Sequence, residues 1–236
     1  MPANVDVDVG GQRMQAWSER ALFWPAQSRL ILSDLHLGKA DTFRRHGVAL
    51  PSGGTGLDLQ RLSALIERTS AREVWILGDF LHGAVVPAWR QQWQAWRQSH
   101  RTLGISVLTG NHDSALHSAQ LSGELEVNLL GPAVDEQGLA FRHAPTKVAS
   151  LHVLCGHVHP VTRLPGLAGR WPMFLLGQNT TVLPAFSTFS GGFAVRLQPT
   201  DRFIACVATE VVASFAQAPS PDAAASCRTT ADSAFS

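Results

Sequence analysis

Side chains that can bind metal ions recur in this sequence immediately after short apolar runs. Asp34 and His36 follow residues 29–33, and Asp79 follows residues 73–77. The full series comprises Asp34, His36, Asp79, Asn111, His112, Asp113, His143, His157 and His159. A single D-x-H or H-x-H pattern often arises by chance. An ordered series of such patterns, each at the end of an apolar run, indicates one shared site.

The residue types in this series favour a site for two divalent metal ions. A carboxylate and a histidine two positions apart, just past a strand, can turn towards one ion, and so can His157 and His159. Mixed oxygen and nitrogen ligands suit manganese, iron or zinc. Two ions about 4 Å apart need a shared ligand, and the two oxygens of Asp79 can supply it.

The charge of such a centre favours a phosphate substrate. Two divalent ions against the carboxylates of Asp34 and Asp79 and one bound hydroxide leave a net positive charge, because Asn111 and the histidines are neutral. A positive centre attracts a phosphodiester and stabilises the additional negative charge of its transition state. We therefore expect a metal-dependent phosphoesterase.

These side chains require buried strands to position them. Apolar runs predict strands at 29–33, 73–77, 105–109, 139–142 and 151–155, and helical periodicity predicts helices at 58–68 and 88–101. Open α/β sheets place their sites at the carboxyl ends of strands, where the series lies. β-prone runs dominate after residue 131, at 173–176, 180–183, 193–197 and 203–208. We expect a layered α/β domain whose sheet gains strands from the C-terminal half.

The length fits one large α/β domain or two small ones and does not decide between them. We expect one metal-dependent phosphoesterase domain at residues 1–215, followed by an Ala/Ser/Pro/Thr-rich tail at 216–236 that we expect to be disordered. Lys and Arg (19) nearly balance Asp and Glu (18), so the net charge of +1 gives little attraction to DNA, and we expect a partner protein to supply targeting. The three cysteines lack a C-x-x-C spacing, which favours a reducing, cytoplasmic setting. No apolar run is long enough for a membrane span.

The ordered series D-x-H, G-D, G-N-H-D, H and G-H-x-H resembles the calcineurin-like metallophosphoesterase superfamily. The resemblance implies a layered metallophosphoesterase β-sandwich flanked by helices. It assigns the first ion to Asp34, His36, Asp79 and His159, and the second ion to Asp79, Asn111, His143 and His157. It assigns His112 as the catalytic residue at the phosphoryl group or the leaving oxygen.

Further short segments of the sequence are similar to segments of the ligase-associated DNA damage response endonucleases of bacteria. They are Leu35-His36-Leu37-Gly38-Lys39-Ala40, Phe43-Arg44-Arg45-His46-Gly47, Pro51, Leu183-Pro184-Ala185-Phe186-Ser187 and Gly191-Gly192. This similarity implies a DNA substrate, with a DNA ligase, a helicase-like protein and a nuclease as partners. We expect manganese as the metal, with iron or zinc as alternatives.

Several positions near the series have open roles. Many superfamily members carry G-D-x-x-D, whose second Asp orients the catalytic histidine, whereas His82 stands here. Asp113 or a backbone carbonyl can orient His112 instead, and His82 can equally contact phosphate. Lys39 and Arg44 follow the first motif closely enough to bind substrate, although Arg44 can also lie on an exposed basic face.

Trp89, Trp93 and Trp96 recur at helical spacing. We expect them to pack in the core, with base stacking as the alternative.

The expected reaction is phosphodiester hydrolysis at two metal ions, in DNA during repair. One alternative is an esterase for a small nucleotide or a lipid-linked diphosphate, although no basic amphipathic insertion is evident between Asp113 and His143. A second alternative is a protein-binding scaffold, as in a retromer subunit of the same fold. The retention of His112 with every metal ligand argues against a scaffold.

Overall fold

The computed structural model describes residues 2–45, 47–48, 53–82, 87–197 and 200–214. Two mixed β-sheets pack face to face, and helices cover the outer side of the first sheet. This architecture confirms the predicted layered α/β sandwich. The tail predicted at 216–236 and the boundary before it lie outside the described residues and stay predictions. Among the described residues, no helix is both long and apolar enough to cross a membrane.

The first sheet has seven strands, and their order in the sheet follows the chain. They are β1 (Asn4–Val9), β2 (Gln12–Trp17), β3 (Ala21–Trp24), β4 (Arg29–Leu32), β5 (Glu73–Leu77), β6 (Gly104–Leu108) and β7 (Asn128–Gly131). β1 to β4 are antiparallel neighbours, whereas β4 to β7 run parallel. The parallel strands β4 and β5 are buried on both faces, which explains their uninterrupted apolar runs.

The second sheet comes from the C-terminal half. Its strands are β8 (Ala133–Glu136), β9 (Leu139–Arg142), β10 (His152–Cys155), β11 (Pro160–Thr162), β12 (Trp171–Leu176), β13 (Thr180–Val182), β14 (Phe193–Ala194), β15 (Arg202–Val207) and β16 (Glu210–Ser214). Their order is β14-β11-β12-β13-β10-β9-β8, and β15 pairs with both β12 and β16. β10 lies parallel to β9 and β13, so the ends that carry His143 and His157 are adjacent.

The helices are α1 (Lys39–Arg45), α2 (Gly54–Thr69), α3 (Pro87–Ser99) and α4 (Ala119–Leu125), with 3₁₀ turns at Pro25–Gln27 and Ser114–His117. Alternate residues of β4 face opposite layers, because strand side chains alternate with a period of two. Leu30 and Leu32 pack against α2 and α3, whereas Ile31 packs towards the second sheet. Trp89 and Trp93 are fully buried among the first group, which confirms their core role.

The predicted strands at 29–33, 73–77, 105–109, 139–142 and 151–155 match β4, β5, β6, β9 and β10 to within one residue. The predicted helix at 58–68 begins earlier, at Gly54. Glycine has a low helix propensity, but a Cβ at Gly54 would lie 2.2 Å from the ring of Phe189, so glycine is needed there for close packing. The antiparallel strands β1 to β3 were not predicted, although the alternating residues Val5, Val7 and Val9 carry a strand signal.

Candidate metal centre

Five of the seven predicted metal ligands have a left-handed backbone conformation that residues other than glycine rarely adopt. The φ angle is positive at Asp34, His36, Asp79, His157 and His159. All five follow the carboxyl ends of β4, β5 or β10. Such conformations cost about 1–3 kcal/mol each and persist where surrounding contacts hold them, most often at functional sites. The strained backbone therefore indicates that these turns belong to a functional site.

The first donor group consists of Asp34, His36 and His159, whose ligand atoms lie within 4.8 Å of one another. Asp34 Oδ1 lies 3.1 Å from His159 Nε2. His159 Nδ1 lies 3.3 Å from the carbonyl oxygen of Gly191 and must carry a proton to donate to it, so a neutral ring has its lone pair on Nε2. Oδ1 of Asp34 and the lone pair on Nε2 of His159 then face each other, and a cation bound between them would stabilise that arrangement.

Buried polar atoms in this group have no hydrogen-bond partner within the part of the chain that the structure describes. They are Asp34 Oδ1 and both ring nitrogens of His36. An unpaired buried polar atom costs about 1–3 kcal/mol, which metal coordination removes. Burial lowers the pKa of His36 to about 2, so its ring is neutral, as metal binding requires. The other oxygen of Asp34, Oδ2, accepts from the backbone N–H of His157 at 3.0 Å.

The second donor group consists of Asp79, His143 and His157. His143 Nε2 lies 3.4 Å from Asp79 Oδ1 and 3.1 Å from His157 Nδ1. His143 Nδ1 lies 3.0 Å from the carbonyl oxygen of Leu77 and donates to it, so Nε2 carries the lone pair. In both donor groups a backbone carbonyl thus sets the tautomer in which a histidine can bind metal. These residues fit a pair of divalent ions.

Asp79 belongs to the second donor group and also faces the first. Its Oδ1 faces His143, whereas its Oδ2 lies 3.9 Å from Nε2 of His36 in the first group. One carboxylate therefore presents one oxygen to each group, as a bridging ligand must. The side chain of Asn111 is exposed beside this group, and its coordination of metal stays a prediction.

Glycines in the sequence motifs let the backbone pass directly against the ligands. A Cβ at Gly78 would lie 2.2 Å from Nδ1 of His143. A Cβ at Gly156 would lie 2.5 Å from Oδ2 of Asp34. Any side chain at either position would displace a ligand, which explains why glycine precedes the ligand in the G-D and G-H-x-H patterns.

His112 lies at the open rim of the centre. Its side chain is 47% exposed, and its Nε2 lies 4.0 Å from Oδ2 of Asp79. The ring centroid of His82 lies 4.8 Å from that of His112 and 5.1 Å from that of His36. Burial lowers the pKa of His82 to about 4, so its ring is neutral at pH 7. His82 therefore contacts its neighbouring imidazoles by ring packing rather than by charge.

The buried carboxylate of Asp113 binds backbone N–H groups. It accepts from Gly110 at 2.8 Å, Leu81 at 2.9 Å and Phe80 at 3.3 Å. These bonds join the turn after β5 to the turn after β6. Asp113 thus fixes the backbone on both sides of the centre, and its orientation of His112 stays a prediction.

The two predicted substrate-binding cations have different surroundings. Lys39 begins α1 and donates from Nζ to Oγ of Ser190 at 3.0 Å, and burial lowers its pKa. Arg44 pairs with Asp41 one turn earlier in α1. Lys39 therefore lies within the wall of the site, whereas the charge of Arg44 is already compensated.

A segment at residues 185–191, which sequence reasoning did not assign to the centre, closes it from the second sheet. Its Gly191 carbonyl accepts from His159, and its backbone is held by one buried and two partly buried polar side chains. Arg20, Asp58 and Arg61 each hydrogen-bond to main-chain atoms between residues 185 and 188. The family resemblance of residues 183–187 was the one sequence feature that pointed to this segment. Arg20, Asp58 and Arg61, which hold it, belong to no recognisable motif.

Two packed mixed sheets, with paired donor groups at their strand ends, have the form of a layered metallophosphoesterase-type fold. A solved structure with a similar fold is that of the Pseudomonas putida nuclease MPE. The TM-score is 0.76 at 28% sequence identity, and the match covers 89% of this chain and 100% of that chain. No protein-family model and no curated protein matches the sequence. The fold and the donor groups together support a nuclease-like or phosphoesterase-like function.

Proposed function

We propose that this chain is a two-metal phosphodiesterase that hydrolyses DNA during repair. The observation that carries the proposal is the pair of donor groups with Asp79 between them, in a fold similar to that of a nuclease. Manganese is the proposed metal, with iron or zinc as alternatives, because all three suit ligands that combine carboxylate oxygen with imidazole nitrogen. The proposed setting is the cytoplasm.

The chain supplies ligands and a proton donor. Asp34, His36, Asp79 and His159 would hold one ion, and Asp79, Asn111, His143 and His157 the other. Bound ions would supply Lewis-acid charge to the phosphoryl oxygens and lower the pKa of the attacking water. His112, half exposed at the rim, can protonate the departing oxygen. Lys39 adds positive charge to the wall of the site.

The partners are proposed from the sequence resemblance. They are DNA as the substrate, and a DNA ligase, a helicase-like protein and a nuclease as proteins that act on the same DNA. A net charge of +1 supports the need for such partners, because the chain as a whole attracts DNA weakly.

Two substitutions separate metal binding from proton transfer. Asp79→Asn should lose metal and activity together, because it removes charge from both donor groups. His112→Ala should keep the metal and lose about 10²- to 10⁴-fold in turnover, as expected for a general acid. Elemental analysis of the purified proteins gives the metal content. Wild-type protein with no stoichiometric transition metal and no phosphodiesterase activity after manganese addition would refute the two-metal proposal.

A substrate panel tests the DNA assignment. Single-stranded, duplex and nicked DNA are assayed beside an aryl phosphodiester and small nucleotides, with manganese, iron or zinc. Cleavage of the aryl ester or of a nucleotide, without any cut in DNA, would assign the site to a small substrate. A protein that binds metal and cleaves none of these compounds would favour the scaffold alternative.

A further inference from the structure

Three arginines lie together at one end of the second sheet. Arg163 directly follows β11, and Arg170 directly precedes β12. Thr162 pairs with Trp171, so the next position outward places Arg163 opposite Arg170. Arg196 follows the edge strand β14, and the parallel register of β14 with β11 places it level with Arg163. We call Arg163, Arg170 and Arg196 the arginine row.

No acidic side chain pairs with the arginine row within the described residues. All three residues are exposed, and none of their guanidinium groups forms a salt bridge within the described ranges. Residues 137–200, which contain the whole row, include no Asp or Glu. Beyond β12 in the sheet come β15 and then β16. Glu210 lies on β16, which is two strands, or about 10 Å, from β12.

Adjacent like charges on neighbouring strands are unfavourable. Like charges directly opposite each other destabilise a sheet by up to about 1 kcal/mol. A bound polyanion removes this repulsion, because arginine forks bind phosphate oxygens with two N–H groups. The arrangement therefore fits a ligand that carries several phosphates in a line.

The arginine row continues from the metal centre. His159 directly precedes β11, so Arg163 lies four residues further along, or about 13 Å in an extended strand. The edge strand β14 leads to the row in the same way, because the N–H of Phe193 at its start donates to the His159 carbonyl at 2.9 Å.

We infer that the arginine row binds the phosphate backbone of a nucleic-acid strand whose scissile phosphate lies at the metal centre. This inference rests on the proposed nuclease function and names the surface that positions its substrate. A distance of about 13 Å corresponds to about four nucleotide steps of 3.4 Å along one strand of duplex DNA. The row gives a chain of nearly zero net charge a local site for DNA.

The test uses a triple variant and a control matched in charge. The test variant is R163Q/R170Q/R196Q, and the control is R13Q/R72Q/R101Q. The control arginines are also exposed and lack salt bridges within the described chain, but Arg72 and Arg101 precede β5 and β6, away from the metal centre. Exposed substitutions of this kind change stability by less than about 0.5 kcal/mol, and thermal unfolding of both variants checks this.

Binding is measured without cleavage, by fluorescence anisotropy of a labelled oligonucleotide with full-length protein in EDTA, over a range of salt concentrations. Three lost phosphate contacts should reduce the slope of log K against log salt by about 2 for a single strand. We expect affinity at low salt to fall at least about tenfold for the test variant and to change little for the control. The wild type, the test variant and the control should cleave an aryl phosphodiester at similar rates, because that substrate does not reach the row.

Equal salt slopes for the test and control variants, or no binding by the wild type at low salt, would overturn the inference. Inorganic polyphosphate that competes as well as DNA, phosphate for phosphate, would assign the row to another polyanion and also overturn it. Failure of the proposed function looks different. In that case the oligonucleotide stays uncut by wild-type protein with any metal, whatever the variants do to binding.

Discussion

Replacing Gly78 by alanine tests whether His143 is held as a metal ligand. Gly78 has a φ of +82°, and an added Cβ would lie 2.2 Å from Nδ1 of His143. Real Cβ atoms do not approach other atoms this closely, so the imidazole must retreat by about 1 Å. That retreat breaks the 3.0 Å hydrogen bond from Nδ1 to the carbonyl of Leu77, which sets the metal-binding tautomer.

The expected losses follow from these contacts. Alanine in a left-handed conformation costs about 1–2 kcal/mol, and the lost hydrogen bond costs about 1 kcal/mol more. The free energy of unfolding should therefore fall by about 2–3 kcal/mol, which lowers the Tm by about 5–10 °C. Loss of the partner that orients a ligating histidine typically reduces metal affinity by about 10- to 100-fold.

Gly138→Ala is the matched control. Gly138 has a φ of +81°, but no atom lies within 4 Å of the position that its Cβ would take. This variant should lose only the conformational term of about 1–2 kcal/mol and should keep its metal affinity. Scanning calorimetry and titration with manganese measure both quantities. Equal metal affinity in the Gly78 and Gly138 variants would refute the placement of His143.

Three further predictions concern the scaffold. Asp58→Asn should lower the free energy of unfolding by about 1–2 kcal/mol, because it weakens the hydrogen bonds of a buried carboxylate to Arg61 and to the N–H of Thr188; urea denaturation measures this, and unchanged stability would contradict it. Trp93→Ala should cost about 3–5 kcal/mol, because a fully buried ring is lost along with its hydrogen bond to the Leu125 carbonyl; a loss below about 1 kcal/mol would count against this packing. Burial raises the pKa of the Cys155 and Cys206 thiols to about 12, so both should resist iodoacetamide at pH 8 until the protein unfolds. Peptide mass spectrometry detects the adducts, and rapid labelling of either thiol in the native protein is the contrary result.

The strands that carry the metal centre were predictable because their signal is local. β4 and β5 are buried on both faces, so they read as continuous apolar runs that end at Asp34 and Asp79. The tryptophans of α3 were predictable for a similar reason, since their helical spacing shows which side is buried. In both cases the environment of a residue follows from its near neighbours in the chain.

The supports of the centre were not predictable in this way. Asp113 reads as part of a motif, yet its carboxylate binds backbone N–H groups more than 30 residues away. Asp58 and Arg61 read as ordinary helix residues, although they hold a segment about 125 residues later. Such partners depend on which segments meet in space, and no local pattern records that.

The sequence by itself determined which residues can bind metal and placed them at strand ends, because residue type and strand burial are local properties. Only the tertiary structure decided that two donor groups form with Asp79 between them. Asp34 and Asp79 come from the first sheet, whereas His143, His157 and His159 come from the second. The two sets meet because side chains such as Ile31 and Phe141 pack the sheets face to face. That packing fixes the position of one sheet on the other through contacts between residues far apart in the chain.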